Sequence, residues 1–385
     1  MTLLQPMTIA GLLATGMGVA LLGSVKLALA RKLGMDEARV GGMVSVFGFT
    51  MIPVMFAVGF VTDLVGKQPV MIGGSVIMAA SLVVLATAGT YWPALAGVLL
   101  LSAGWATLIN VVNPLSLFAF PGTEVYALNL ACFFFGLGAF LTPLAVAFLL
   151  RRVRLTATLL VLMVPVLLTG ALALGVDFSA LAPAAVEGTA TAAADPGMLG
   201  LLAEPMMWLC GLALFFYAPM EATMGAWTTT YLQENRVAEG PASGLLSGFW
   251  LAFMASRLVT AYTLPQGSEA TLILVLGVVC VAVWAAMVLG RSRGAAMVLV
   301  IAAGLVFGPI FPTIMAVLLG HFDKVVHGRA VGLLFGIGGL GWTALPMLIG
   351  AYARRTSVQR GFLLAAASAV GLCVIALVLV ARVAG

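Results

Sequence analysis

The chain has 385 residues, of which 63% are apolar and only 8% are charged, and its net charge is +5. Soluble domains carry roughly 25% charged residues, so this composition excludes a soluble globular protein. Most of the basic residues lie in the short segments between apolar runs, where they bear on membrane topology and do not indicate nucleic-acid binding.

The apolar runs are long and show no alternation, which predicts an all-α polytopic membrane protein. A helix needs about 20 apolar residues to cross the hydrocarbon layer, and about twelve such segments fit this length. The predicted spans are residues 7–30, 40–61, 69–88, 92–118, 125–150, 155–175, 205–232, 242–264, 270–290, 295–320, 328–352 and 361–381. Residues 7–30 form a full span with no basic segment before it, so we expect no cleavable signal peptide.

A short polar interruption separates the second and third spans at residues 59–67, Gly-Phe-Val-Thr-Asp-Leu-Val-Gly-Lys. Gly59 permits close backbone approach, and Asp63 places a carboxylate at the end of the incoming helix. Gly66 lets the chain turn with a positive φ angle, and Lys67 follows it. The segment predicts a tight antiparallel helical hairpin.

The chain is predicted to consist of two six-helix bundles, residues 1–175 and 205–385. Residues 176–204 between them are rich in Ala, Thr and Pro, contain no basic residue, and are typical of a flexible linker. Residues 136–143 and 339–346 both fit the pattern GLGxxxxP. Repeats at corresponding positions are typical of transporters that bind their solute near the middle of the membrane. A chance similarity of two glycine-rich helices is the alternative.

Three ionisable residues inside predicted spans are candidates for function, because a charge at bilayer depth is costly. Glu221 and Arg257 stand at similar distances from the loop between the seventh and eighth spans, so an antiparallel hairpin brings them within reach. They form either a permanent structural ion pair or one that opens when a solute or proton binds. Lys26 either reaches the membrane interface or serves as a cation in a cavity.

Uncharged residues complete the candidate solute site. Trp227 and Trp250 offer flat faces that could stack on a sugar ring, although Trp250 is equally compatible with a core position. The remaining candidates are Asn110, Asn113, Asn129 and Thr228. For each asparagine the alternative is a role in packing between helices.

No pattern indicates an enzyme, a cofactor or a metal site. The four cysteines stand alone in apolar segments, as small buried residues do. They are Cys132, Cys210, Cys280 and Cys373. His321 and His327 lie in one short loop, where exposure to solvent is the default interpretation.

The interruption at residues 59–67 has the form Gly-x-x-x-Asp-x-x-Gly-Lys and resembles the loop between helices 2 and 3 of the major facilitator superfamily. Other segments resemble the fucose permease-like sugar:proton symporter branch of that superfamily. They are Ser102-Ala103-Gly104, Asn113-Pro114, Ala127-Leu128-Asn129-Leu130, Tyr217, Glu221, Trp227, Tyr231, Leu232, Trp250, Ser256-Arg257 and Phe311-Pro312-Thr313. The resemblance implies sugar transport by alternating access, with Asp63 and Gly66 at a gating hinge and Asp63 facing a helix end of the second half.

The chain departs from that branch at the positions where its carboxylates for proton coupling stand. Here those positions fall near Gly23, Ser24 and Ile109, and none of these residues titrates. Proton coupling is therefore left open, and Glu221 is the only embedded carboxylate we nominate for it. The membrane orientation is also left open, because most basic residues fall in loops that the superfamily topology places outside the cytoplasm.

The leading hypothesis is a secondary transporter of a sugar or a similar small polar solute. The alternatives are an exporter or flippase of an anionic or amphipathic molecule, and a non-transporting receptor on the same scaffold. We expect a multi-pass protein of a bacterial inner membrane, in contact with the lipid bilayer. We expect it to act as a monomer on a small-molecule solute, with protons as an open question.

Overall fold

The computed structural model describes residues 3–35, 37–181 and 197–384. In that part of the chain the regular elements are α-helices and two short 3-10 turns, Ser179–Leu181 and Lys324–Val326. The helices are α1 Leu4–Leu33, α2 Glu37–Val65, α3 Lys67–Thr87, α4 Tyr91–Ala119, α5 Glu124–Leu150, α6 Leu155–Leu174, α7 Gly197–Ala203, α8 Pro205–Glu234, α9 Glu239–Thr263, α10 Glu269–Leu289, α11 Arg293–Phe307, α12 Ile310–His321, α13 His327–Ala353 and α14 Val358–Ala384.

Twelve segments of the described chain are long and apolar enough to cross a membrane. This confirms the predicted all-α polytopic fold and the predicted number of spans. Helix α7 is a short helix of 7 residues that precedes α8. Residues 182–196 of the predicted linker lie outside the described residues, so the prediction of a flexible linker over 176–204 remains a prediction there.

The chain forms two compact units. The first comprises Met1–Gly122, Ala131–Ala192 and Lys324–Gly332, and the second comprises Thr123–Leu130, Ala193–Asp323 and Leu333–Gly385. Helices α5 and α13 therefore contribute residues to both units. The division between residues 1–175 and 205–385 differs from these units in two short segments, 123–130 and 324–332.

The two GLGxxxxP segments make the same packing contact in their own units. A Cβ atom on Gly138 of α5 would overlap the carbonyl oxygen of Leu13 on α1. A Cβ atom on Gly341 of α13 would overlap the carbonyl oxygen of Phe215 on α8. Small residues at such crossings let helix backbones approach closely, which drives association in lipid. The shared geometry supports the interpretation of the two segments as one repeated element.

The connection between α2 and α3 is shorter than the sequence indicates. Helix α2 continues to Val65 and α3 begins at Lys67, so residues 59–65 are helical and Gly66 alone connects the two helices. Gly66 has φ 89°, a region that glycine adopts without steric cost. The expectation of a nine-residue interruption was therefore too long, because the polar residues lie on the last turns of α2.

The tenth span is broken where the sequence predicts one continuous helix, residues 295–320. Helix α11 ends at Phe307 and α12 begins at Ile310. Gly308 (φ −50°, ψ −50°) and Pro309 (φ −77°, ψ −15°) keep right-handed helical dihedrals. The break therefore lies in the hydrogen-bond pattern, because Pro309 and Pro312 have no N–H to donate to the carbonyl groups four residues earlier. The break leaves backbone carbonyl groups near the middle of the span available to side chains.

Candidate functional site

A polar cluster in the second unit surrounds the break in the tenth span. The hydroxyl of Tyr217 on α8 lies 2.9 Å from Oε2 of Glu221 and 2.9 Å from the carbonyl oxygen of Phe307. The guanidinium of Arg257 on α9 donates through Nε to the carbonyl oxygen of Gly308 at 2.9 Å. Three transmembrane segments therefore meet through hydrogen bonds at this point.

The local sequence explains the contacts to the break. Because Pro312 has no N–H, the carbonyl oxygen of Gly308 lacks the donor that an unbroken helix provides four residues later. Arg257 replaces that donor. Tyr217 and Glu221 are four residues apart on α8, so they share one face of the helix.

The cluster contains a carboxylate and a guanidinium within range of each other's charge. Arg257 is buried, with 4% of its surface exposed, and Glu221 is half-buried. The charge of Arg257 interacts electrostatically with the Glu221 carboxylate. The Arg257 guanidinium also stacks on Phe253, with Cζ 4.2 Å from the ring centroid. The carboxylate of Glu221 and the guanidinium of Arg257 compensate each other's charge. Both groups can also form hydrogen bonds with polar groups of a solute.

Sequence reasoning did not single out two parts of this cluster. Tyr217 entered only through the family resemblance, and the break at Gly308 and Pro309 was placed inside a continuous span. The signals that could have revealed them are the Tyr-x-x-x-Glu spacing on a helix and the two prolines at positions 309 and 312.

The predicted aromatic candidates have different surroundings. Trp250 is half-buried on α9, where its ring centroid lies 5.3 Å from that of Phe253. Trp227 donates its indole N–H to the carbonyl oxygen of Pro346 at 3.2 Å, which ties α8 to α13. Thr228 is buried and donates to Sδ of Met224 at 3.8 Å. Trp250 thus lies in a row with Phe253 and Arg257 along α9, whereas Trp227 and Thr228 make packing contacts.

Two asparagines and one lysine make only local contacts or none. The side-chain amide of Asn113 donates to the Ile109 carbonyl at 3.0 Å, and that of Asn129 donates to the Val125 carbonyl at 3.0 Å. The Oδ1 atom of Asn129 is buried without a hydrogen-bond partner among the described residues. Lys26 is half-buried on α1. Within the described part of the chain it forms no ion pair or hydrogen bond.

A second cluster, in the first unit, surrounds Asp63 at the end of α2. Oδ1 of Asp63 accepts from the backbone N–H of Gly328 at 3.1 Å. Oδ2 accepts from the backbone N–H of Arg329 at 3.0 Å and from its Nε at 2.8 Å. The two side chains are only 8% and 9% exposed. Asp63 therefore caps the N-terminus of α13, where a negative charge is favourable.

Asn110, predicted as a solute ligand, lies in this second cluster. Its Nδ2 donates to the carbonyl oxygen of Gly328 at 3.3 Å, and its Oδ1 accepts from the Thr62 hydroxyl at 3.4 Å. Gly59 is also here, and a Cβ atom on it would lie 2.6 Å from the same Gly328 carbonyl oxygen. The absence of a side chain at Gly59 lets α2 and the start of α13 touch.

Lys67, at the first turn of α3, extends toward an aromatic ring. Its Nζ lies 5.2 Å from the centroid of the Phe118 ring, and Nζ of Lys324 lies 4.9 Å from the same centroid. Both ammonium groups lie at cation–π distance from one aromatic side chain. Lys67 is thus placed next to the Asp63 cluster, with which it also interacts electrostatically.

Replacing Asp63 with asparagine is expected to lower the free energy of unfolding by about 2 kcal/mol, because Arg329 loses its charged acceptor while remaining largely buried. Thermal unfolding of the purified protein in detergent would measure the change. Asp323→Asn is the matched control, since Asp323 is exposed in the segment before α13. An equal loss from both variants would contradict the role assigned to Asp63.

The fold and the two clusters define a class of protein: a twelve-span membrane protein with a repeated helical element and buried polar groups at a broken helix. The sequence model of the Major Facilitator Superfamily matches residues 8–331. The chain therefore belongs to the major facilitator superfamily, a family of transporters.

Solved structures with the same fold cover nearly the whole chain. The E. coli fucose:proton symporter FucP has a TM-score of 0.79 and 15% identity over 97% of this chain and 98% of that one. The human organic anion transporter MFSD10 has a TM-score of 0.77 and 17% identity over 97% and 99% of the two chains. The proton:xylose symporter XylE has a TM-score of 0.76 and 12% identity over 98% and 94%. At these identities the similarity shows the fold alone.

A protein of Saccharomyces cerevisiae named "Bypass of stop codon protein 6" is 30% identical over 177 residues. The matched region covers 43% of this chain and 36% of the yeast protein, so the chain spans about a third of that relative.

Proposed function

We propose that the chain is a secondary transporter that moves a neutral polyhydroxy solute, such as a sugar, by alternating access. The observation that carries the proposal is the cluster of Tyr217, Glu221 and Arg257 at the broken tenth span. A carboxylate and a guanidinium that offset each other favour a neutral solute, and both groups form strong hydrogen bonds with hydroxyls.

The aromatic residues on α9 support a sugar in particular. Trp250, Phe253 and Arg257 follow one another along the helix, so ring faces lie next to a charged hydrogen-bond donor. Sugar sites combine flat apolar faces with a few polar groups that orient hydroxyls. Two of the solved structures with this fold, FucP and XylE, are named as sugar symporters.

A second candidate function is transport of an organic anion or an anionic amphipathic molecule. It rests on Lys26, a half-buried cation without an ion-pair partner in the described residues. A cation at this depth is favoured by an anionic ligand. The fold shared with MFSD10, which is named as an organic anion transporter, is compatible with it.

Exchange of labelled solutes by the protein in liposomes would test the proposal. We expect saturable exchange of one or more hexoses, deoxyhexoses or pentoses, and at least about tenfold weaker apparent affinity in Glu221→Gln, because the charged acceptor is lost. Lys26→Gln is the paired variant and should leave sugar exchange within about twofold of the unmodified protein. Exchange of an organic anion that Lys26→Gln abolishes and Glu221→Gln does not would select the second candidate instead. The absence of any flux would favour a receptor.

The same liposomes address the question of proton coupling. If Glu221 carries the coupling proton, an imposed pH gradient drives accumulation of the solute by the unmodified protein and not by Glu221→Gln. In that case exchange without a gradient persists in the variant. Equal uptake with and without the gradient would identify facilitated diffusion.

A further inference from the structure

A groove lies between α13 and α14, next to the turn that joins them. Its volume is about 460 Å³, and it is lined by Leu348, Ala351, Tyr352, Arg354, Arg355 and Leu364. Four of these residues are apolar or aromatic and two are arginines. The groove is separate from both polar clusters described above and has no part in the proposed transport cycle.

The two arginines of the groove lack a negative partner within the described part of the protein. Arg354 and Arg355 are exposed, and neither guanidinium forms an ion pair or side-chain hydrogen bond with a described residue. Exposed guanidinium groups beside an apolar groove favour an anionic group that offers several acceptor oxygens.

Other charges at this end of the second unit strengthen the positive field. Oε1 of Glu234 at the end of α8 accepts from the backbone N–H of Val358 at 2.8 Å, and the side-chain amide of Gln359 donates to the carbonyl of Met287 at 2.9 Å. The ends of α8 and α10 therefore lie beside the start of α14. The charged residues here are Arg236, Arg291, Arg293, Arg354, Arg355, Arg360, Glu234 and Glu239. Six basic residues against two acidic ones attract anions to this end.

The groove is apolar on its membrane side and basic at its outer end, which matches the acyl chain and the anionic headgroup of a phospholipid. Leu348 lies seven residues before Arg355, which is about 10 Å along a helix. The candidate span that contains Leu348 ends at Ala353, before the arginines. Leu348 is 56% exposed and Tyr352 is 44% exposed. The apolar part thus lies at hydrocarbon depth and the arginines at headgroup depth, with a tyrosine where the membrane interface favours one.

We propose that this groove binds one phospholipid with an anionic headgroup. The guanidinium groups of Arg354 and Arg355 hold the phosphate with charge-assisted hydrogen bonds, and an acyl chain lies along Leu348, Ala351 and Leu364. Basic pockets between membrane helices recognise anionic headgroups in this way. A soluble anion would use the arginines but leave the apolar part of the groove without a function.

Native mass spectrometry of the full chain in detergent, titrated with phosphatidylglycerol or with phosphatidylcholine of the same acyl chains, tests the proposal. We expect one phosphatidylglycerol molecule to bind at least about tenfold more tightly than phosphatidylcholine, and R354Q/R355Q to lose this preference. A351W fills the apolar part and keeps both arginines, and it should weaken phosphatidylglycerol binding by a similar factor.

The variant R151Q/R152Q is the matched control. It removes two exposed arginines from the hairpin between α5 and α6, where the Arg152 guanidinium lies 4.2 Å from the Phe148 ring centroid. Phosphatidylglycerol binding should be unchanged in it. Equal losses from the two double variants, or no preference for phosphatidylglycerol in the unmodified chain, would overturn the proposal. Displacement of the lipid by inorganic phosphate together with unchanged binding by A351W would identify a site for a soluble anion and would also overturn it.

Discussion

Replacing Arg257 with methionine is expected to lower the free energy of unfolding by about 1–3 kcal/mol, because the Glu221 carboxylate loses a nearby compensating charge. The Gly308 carbonyl at the broken span also loses its donor, as Arg257 Nε lies 2.9 Å from it. Methionine keeps a similar length and apolar stem, so the loss reports on charge and hydrogen bonding more than on volume. Thermal unfolding in detergent measures it.

A double variant separates two causes of this loss of stability: the uncompensated charge of Glu221, and the missing hydrogen bond to the Gly308 carbonyl. In the double variant Glu221→Gln/Arg257→Met no uncompensated charge remains, and the side-chain amide introduced at position 221 still offers an oxygen to the Tyr217 hydroxyl. We expect the double variant to be more stable than Arg257→Met alone, and to exchange solute more weakly than Glu221→Gln. Additive losses from the two single substitutions would show that Glu221 and Arg257 act independently.

Replacing Gly138 or Gly341 with alanine is expected to lower the free energy of unfolding by up to about 3 kcal/mol. The added Cβ atom meets a backbone carbonyl that cannot move aside. The obstacle is the Leu13 carbonyl in one unit and the Phe215 carbonyl in the other. Both variants should express poorly, and the purified protein should unfold at a lower temperature.

Gly73→Ala on α3 is the matched control for these two variants. Gly73 also lies in a membrane-spanning helix, but a Cβ atom on it meets nothing within 4 Å. The change is expected to be neutral or stabilising by up to about 1 kcal/mol, since alanine favours the helix. If Gly138→Ala and Gly341→Ala behaved like Gly73→Ala, the close helix crossings would not be needed for stability.

The sequence predicted the position of Asp63 at a helix end, but it did not predict the residues that Asp63 contacts. Asp63 was singled out as a carboxylate at a helix end, and it lies at the N-terminus of α13. Its partner Arg329 and the amide of Asn110 are far away along the chain. Asn110 was therefore placed with the solute candidates, because nothing in its local sequence indicates the Gly328 carbonyl that it contacts.

The candidate solute site was likewise predicted only in part from the sequence. Spacing from the connecting loop predicted that Glu221 and Arg257 would be close, and the charge of Arg257 does act on the Glu221 carboxylate. The carbonyl groups that Tyr217 and Arg257 contact come from a third span, whose break the hydropathy pattern does not reveal. Likewise, Trp227 was predicted to offer a ring face to a sugar, and the sequence did not indicate that its indole N–H donates to the carbonyl oxygen of Pro346 on α13.

The sequence by itself determined the fold class, the twelve spans, the repeated glycine motif and the tight turn at Gly66, because each depends on local composition or on the steric needs of one residue. Only the tertiary structure decided which side chains donate to the carbonyl groups at the break in the tenth span. The groove between α13 and α14 is likewise visible only in three dimensions. These features depend on pairs of atoms that are close in space and distant along the chain, and the cost of an unpaired buried polar group selects the partners.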